Sequence, residues 1–128
     1  MKRFGLALLG CTLALGAAQA QVVIAHPSVE LSADQVRDLF LGEIQYSGRL
    51  RLVPVDNRDL QPEFLSRVLQ TDERKYTARW TRKTYREGVA APAVKPGDAE
   101  VAAFVRRTPG AVGYVAGPTP GVKVLHAF

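Results

Sequence analysis

Short apolar runs alternate along this chain with longer stretches of helical spacing. Val22-Val-Ile-Ala25 and Ala111-Val-Gly-Tyr-Val115 are continuous apolar runs bounded by turn residues. Such runs predict strands, and the 22–25 run one buried on both faces. Arg49–Val55 alternates and then turns apolar, so it predicts another strand, with Pro54 at a sheet edge or a strand end. Val122–Leu125 predicts a last short strand after the Pro118–Gly121 turn.

Four helices are predicted between the strands. Ser32 and Gln35 form a capping box, with Leu31 and Val36 as its staple. Val36, Leu39 and Phe40 make the buried face of this first helix, and Gly42 stops it. Asp59 or a near neighbour caps the second, Pro62 sits in its first turn, and Phe64, Leu65, Val68 and Leu69 face inward. Thr71-Asp72-Glu73 opens the third, which runs to Gly88 and carries Tyr76 and Trp80 as core residues. Val89–Gly97 reads as a loop. Asp98 caps the fourth, whose apolar face is Val101, Phe104 and Val105, with Arg106 and Arg107 at its negative end. Pro109-Gly110 then ends it and feeds the 111–115 strand. Gly113 within that strand predicts a close approach by another group.

Strands alternating with helices define an α/β class: a single small three-layer lobe, a mainly parallel sheet with helices on both faces. Ligands of such sheets bind beyond the carboxyl ends of strands. The His26–Ser32 and Asp56–Pro62 loops are those places here.

The first twenty residues change the picture of where the chain works. Lys2 and Arg3 precede an apolar stretch that ends in Ala18-Gln19-Ala20, the pattern of a secretory signal peptide. Residues 1–20 are expected to be removed, leaving 21–128 as one domain in the bacterial periplasm. Acylation at Cys11 is the minor alternative. Cys11 is the sole cysteine, so the mature domain has no disulfide and no thiolate site. No transmembrane segment is expected. Without Lys2 and Arg3 the domain carries 15 basic against 12 acidic residues, a net +3. That mild excess, with no basic tail, speaks against nucleic acid.

Arg58 and Asn57, ahead of a helix N-terminus, are the best candidates for holding an anion. Ser28 is a further candidate after the first strand, whereas Ser32 reads as a cap. Lys75, Arg79, Arg82 and Arg86 fall on one narrow face of the third helix. They form either a solvated stripe or a contact for an acidic partner or anionic envelope surface. His26 and His126 lack a second ligand at metal spacing. No nucleophile–base set is visible, so neither enzymatic activity nor a cofactor is expected.

Several spaced segments together resemble the phosphate-binding component of bacterial ABC transporters, a type 2 periplasmic binding protein. They are VVIAHPSVELSADQVRDLFLGEI at 22–44, LRLVPVDNR at 50–58, Trp80, and AAFVRRTPGAVGYV at 102–115. The resemblance covers nearly all of 21–128 and implies the second lobe of a two-lobed binder. It implies phosphate or another oxyanion as ligand, and a transporter, an envelope protein or a second copy of the chain as partner. That lobe normally presents an Arg followed by a Ser-Gly-Thr loop. Here Arg58 is displaced by about one position, and Asp59, Pro62 and Glu63 stand where the loop is expected. The resemblance therefore implies weak or partner-completed oxyanion binding. A non-transport envelope accessory that uses the lobe for protein contact is the alternative.

Overall fold

In the computed structural model, which describes residues 21–128, β1 (Val22–Ala25) lies inside a five-stranded sheet. The expected leader at 1–20, its expected cut after Ala20, and Cys11 lie outside the described residues. Chain order continues through α1 (Ala33–Phe40), β2 (Tyr46–Ser47), β3 (Leu50–Arg51), β4 (Val53–Asn57), α2 (Gln61–Arg67) and α3 (Glu73–Glu87). It ends with β5 (Ala93–Lys95), α4 (Asp98–Arg107), β6 (Ala111–Val115) and β7 (Lys123–Ala127).

The sheet order is β5-β4-β6-β1-β7. β4 pairs parallel with both β5 and β6, while β1 pairs antiparallel with β6 and with β7. Four strands therefore point one way and β1 alone opposes them. From β4 the chain crosses outward to β5, then back past β4 to β6. Right-handed crossovers in opposite directions place their helices on opposite faces. α1, α2 and α3 accordingly cover one face with Phe40, Phe64, Tyr76 and Trp80. α4 covers the other with Val101, Ala102 and Val105.

Local chemistry agrees with most of these elements. The Ser32–Gln35 box is closed in both directions, at 3.2 Å and 2.9 Å. Asp72 caps α3 by accepting the Lys75 N–H at 2.9 Å, and Gly88 ends it in the left-handed conformation. The approach to Gly113 is tight. A Cβ there would lie 2.7 Å from Val101 Cγ1 and 2.9 Å from Val55 Cγ1.

Several expectations narrow or change. Of Asp59 and its near neighbours, Leu60 occupies the cap position of α2, and it makes no side-chain bond there. Gly97, not Asp98, caps α4, and the Asp98 carboxylate accepts from Asn57 Nδ2 (2.7 Å) and the Ala116 N–H (3.0 Å) instead. The 89–97 loop contains β5, and the 49–55 run divides into β3, which pairs with β2, and an interior β4. Pro54 is tolerated in β4 because of parity. The Val53 N–H points at β6, to Gly110 O, so position 54 faces the β5 side before β5 begins opposite Val55. The same parity guards β5, whose open edge presents Pro92, Val94 and Pro96, two of them without an N–H.

Candidate functional site

Because β1 runs against its neighbours, the two candidate loops stand at opposite ends of the sheet. Ala25 pairs with Val112 and Val53 with Ala111, so the His26–Ser28 turn lies at the amino end of β4. Asn57 and Arg58 lie at its carboxyl end, beyond a five-residue strand of about 16 Å. Ser28 therefore does not meet Arg58 or Asn57. It closes its own turn: Gly110 N–H donates to Ser28 Oγ at 3.2 Å, and that oxygen lies 2.8 Å from His26 Nδ1.

Asn57 is fully buried and occupied within the chain. Its amide nitrogen donates to Asp98 Oδ1 and to Tyr114 O (2.9 Å), and its oxygen accepts the Asp59 N–H at 3.1 Å. It ties β4 to β6 and to the start of α4. Arg58 is exposed. Its backbone N–H donates to Lys95 O, and its guanidinium makes no hydrogen bond or ion pair among the described residues. The neighbouring N-terminus of α4 already has carboxylates: a Cβ on Gly97 would lie 3.1 Å from Asp59 Oδ2.

The sequence reading missed Asp56. It is 1% exposed at the end of β4, and accepts the hydroxyls of Tyr76 (2.9 Å) and Tyr114 (2.7 Å). Burial raises its carboxyl to about 6, against the opposing pull of these hydroxyls and of Gln61. Burial first, and then the Asp56 charge, raise both phenols. An acidic residue closing an apolar strand was the available signal. Its partners stand 20 and 58 residues away, beyond local pattern.

Beside Asp56 and Arg58 a groove of about 620 Å³ runs between α3 and β5. Tyr76, Trp80, Tyr85, Pro92 and Val94 supply its apolar wall, while Thr77 and Thr81 line it from α3. Tyr76 and Trp80 remain core residues, and the indole N–H donates to Phe40 O at 3.0 Å.

The basic stripe is divided. Arg79 is half-buried: its Nε donates to Leu41 O (2.7 Å) and its guanidinium pairs with Glu43. It closes the end of α1. Lys75, Arg82 and Arg86 are exposed, with Tyr85 (90% exposed) among them. Among the described residues no helix is long and apolar enough to cross a membrane, and no cluster of three metal-ligating side chains occurs.

The architecture, four strands one way with an opposed strand between β6 and β7, has the fold of part of two solved binding proteins. Two solved structures are similar to it. One is assigned as a phosphate ABC transporter substrate-binding protein from Clostridium perfringens, solved with bound phosphate. It shares 15% identity and a TM-score of 0.61, over 84% of this chain and 44% of that one. The other is an ABC-type phosphate transport receptor from Vibrio cholerae, with 14% identity and a TM-score of 0.52, over 84% and 45%. This chain thus spans less than half the length of either protein. No family model and no curated protein sequence matches it.

Proposed function

We propose that this chain is a periplasmic solute-binding-like module, exported by the leader at 1–20 and cleaved after Ala20, which holds phosphate or another oxyanion weakly. The observation that carries the reading is Arg58. Its guanidinium, without a partner among the described residues, stands at the carboxyl end of a parallel strand, in a lobe whose structural neighbours include a phosphate-bound protein. The chemistry is binding, not catalysis.

Physical chemistry limits the affinity. Small-ligand sites bury about 70–90% of the ligand, which takes walls on both sides. One lobe offers one wall, and Asp59 and Asp98 oppose a second anion nearby. An oxyanion on Arg58 stays half hydrated and screened. Calorimetry on a sample shown monomeric by light scattering should give a phosphate Kd no tighter than roughly 0.1–1 mM. The affinity should rise when a second chain, a partner or another copy, supplies the other wall. Micromolar binding by the monomer sinks the half-site reading.

Lys75, Arg82, Arg86 and the exposed Tyr85 favour a second reading, an envelope accessory that docks an acidic partner on α3. That docking should weaken steeply with salt, and more for Arg82→Glu than for Arg79→Gln.

A further inference from the structure

The groove between α3 and β5 has a polar end and an apolar end, and register fixes which is which. Tyr76 on α3 reaches Asp56 on β4. Glu73 lies one helical turn before Tyr76, about 5 Å. Arg58 lies two strand residues beyond Asp56, about 7 Å, in the same direction. Both line the groove with the buried Asp56, so one exposed cation and one exposed anion share its polar end. Neither side chain makes a hydrogen bond or ion pair among the described residues.

Trp80 and Tyr85 follow along α3 toward the other end, and Pro92 and Val94 face them from the β5 side. Tyr85 is almost wholly exposed and Val94 substantially so, an unusual outlay of apolar surface next to a cavity. A volume of about 620 Å³ lies within the range of small-molecule sites. The paired opposite charges disfavour a simple anion or cation and match a ligand that carries both. The prolines at 92 and 96 make the open edge of β5 a poor template for an added strand, which leaves the groove to a side-chain-recognised ligand.

We infer that this groove binds a small zwitterion with an apolar body, of amino-acid or dipeptide size. Arg58 takes its carboxylate, Glu73 its ammonium, and Trp80, Tyr85, Pro92 and Val94 its body. This goes beyond the oxyanion reading and shares only Arg58 with it.

Trp80 is the single tryptophan of the chain and lines the groove, so its fluorescence reports occupancy directly. The mature chain is titrated with L-phenylalanine and with L-phenylalanyl-L-alanine, followed by fluorescence and by calorimetry. At least one should saturate with a Kd below about 1 mM, and the tighter of the two sets the size class. 3-Phenylpropionate and phenethylamine, each keeping one charge, should bind about tenfold more weakly, the loss of one charge-assisted contact. Arg58→Gln, Glu73→Gln and Tyr85→Ala should each weaken the zwitterion about fivefold or more. Inorganic phosphate separates this site from the oxyanion reading. Tyr85→Ala should leave phosphate binding unchanged, and Glu73→Gln should leave it unchanged or strengthen it. Tyr85 is exposed enough that its removal leaves the fold intact. No saturation by either method up to about 10 mM overturns the inference. So do single-charge analogues that bind as tightly as the zwitterion.

Discussion

The two faces of the sheet solve burial in opposite ways. Under α4 the interface is small and, apart from the Asn57–Asp98 contact at its end, apolar: Val22, Ile24 and Val115 join Val55, Val101 and Val105, and the last three close over Gly113. Under α1–α3 it is aromatic and includes a carboxylate. Phe64 stacks on Tyr114 at 3.9 Å, Phe40 meets both edge-on, and Asp56 holds the two tyrosine hydroxyls. Val55 and Asp56 are neighbours in one strand, and strand alternation alone sends them to these two environments. The valine face can only be packed or overpacked. The aromatic face can also be titrated, and it is the one that opens into the groove.

The largest expected effect tests that titration. Asp56 has its carboxyl raised to about 6 from an ordinary 3.8. A raised acid keeps its proton in the folded state, so its contribution is full below the unfolded value and is lost as pH climbs to about 6. The shift corresponds to at most about 3 kcal/mol. Other carboxylates titrate in the same window, so the informative quantity is the parent-minus-variant difference for Asp56→Asn. Denaturant melts from pH 4 to pH 7 should show the parent losing stability against the variant across that range. A difference that stays flat would mean the carboxylate is solvated, and the contrast between the faces would fail.

Gly113→Val tests the other face and should destabilise by about 1–3 kcal/mol through overpacking, since even the Cβ has no room beside Val101 and Val55. A thermal melt equal to the parent would show that α4 yields freely. The smallest effect lies in the α2–α3 link on the aromatic side. Gln70 holds φ at +55°, a left-handed conformation in a non-glycine residue. Gln70→Gly should be neutral to stabilising by up to about 1 kcal/mol, read as a shift in denaturant midpoint without a change in slope. A loss of stability would point to a contact of the Gln70 side chain.

Much of the fold was legible because its signals are local. The Ser32–Gln35 box, the Asp72 cap and the Gly88 stop each act within four residues, and all three stand as the sequence implies. The 22–25 run announced a buried strand and the 111–115 run an apolar one through composition alone. Where a side chain had a choice between a local and a distant partner, the reading failed. Asp98 looks like a helix cap but answers Asn57 and Ala116. Arg79 belongs by spacing to a basic stripe but closes the end of α1. The candidate site was legible only in part: Arg58 was visible, while the groove beside it joins residues from β4, α3 and β5.

The sequence by itself determined that this is an α/β lobe, where most of its helices begin and end, and that a glycine in its penultimate strand must be tightly enclosed. Those features rest on backbone hydrogen bonding and side-chain periodicity over a few residues, which chain order specifies directly. Tertiary structure alone decided that β1 opposes the other four strands, and so that Ser28 and Arg58 stand at opposite ends of the sheet. It alone decided that Asp56 is buried between two tyrosines and that Glu73 and Arg58 line one groove. Strand direction and cross-sheet register come from which faces can be buried together, an energy summed over the whole lobe, so no stretch of sequence carries them alone.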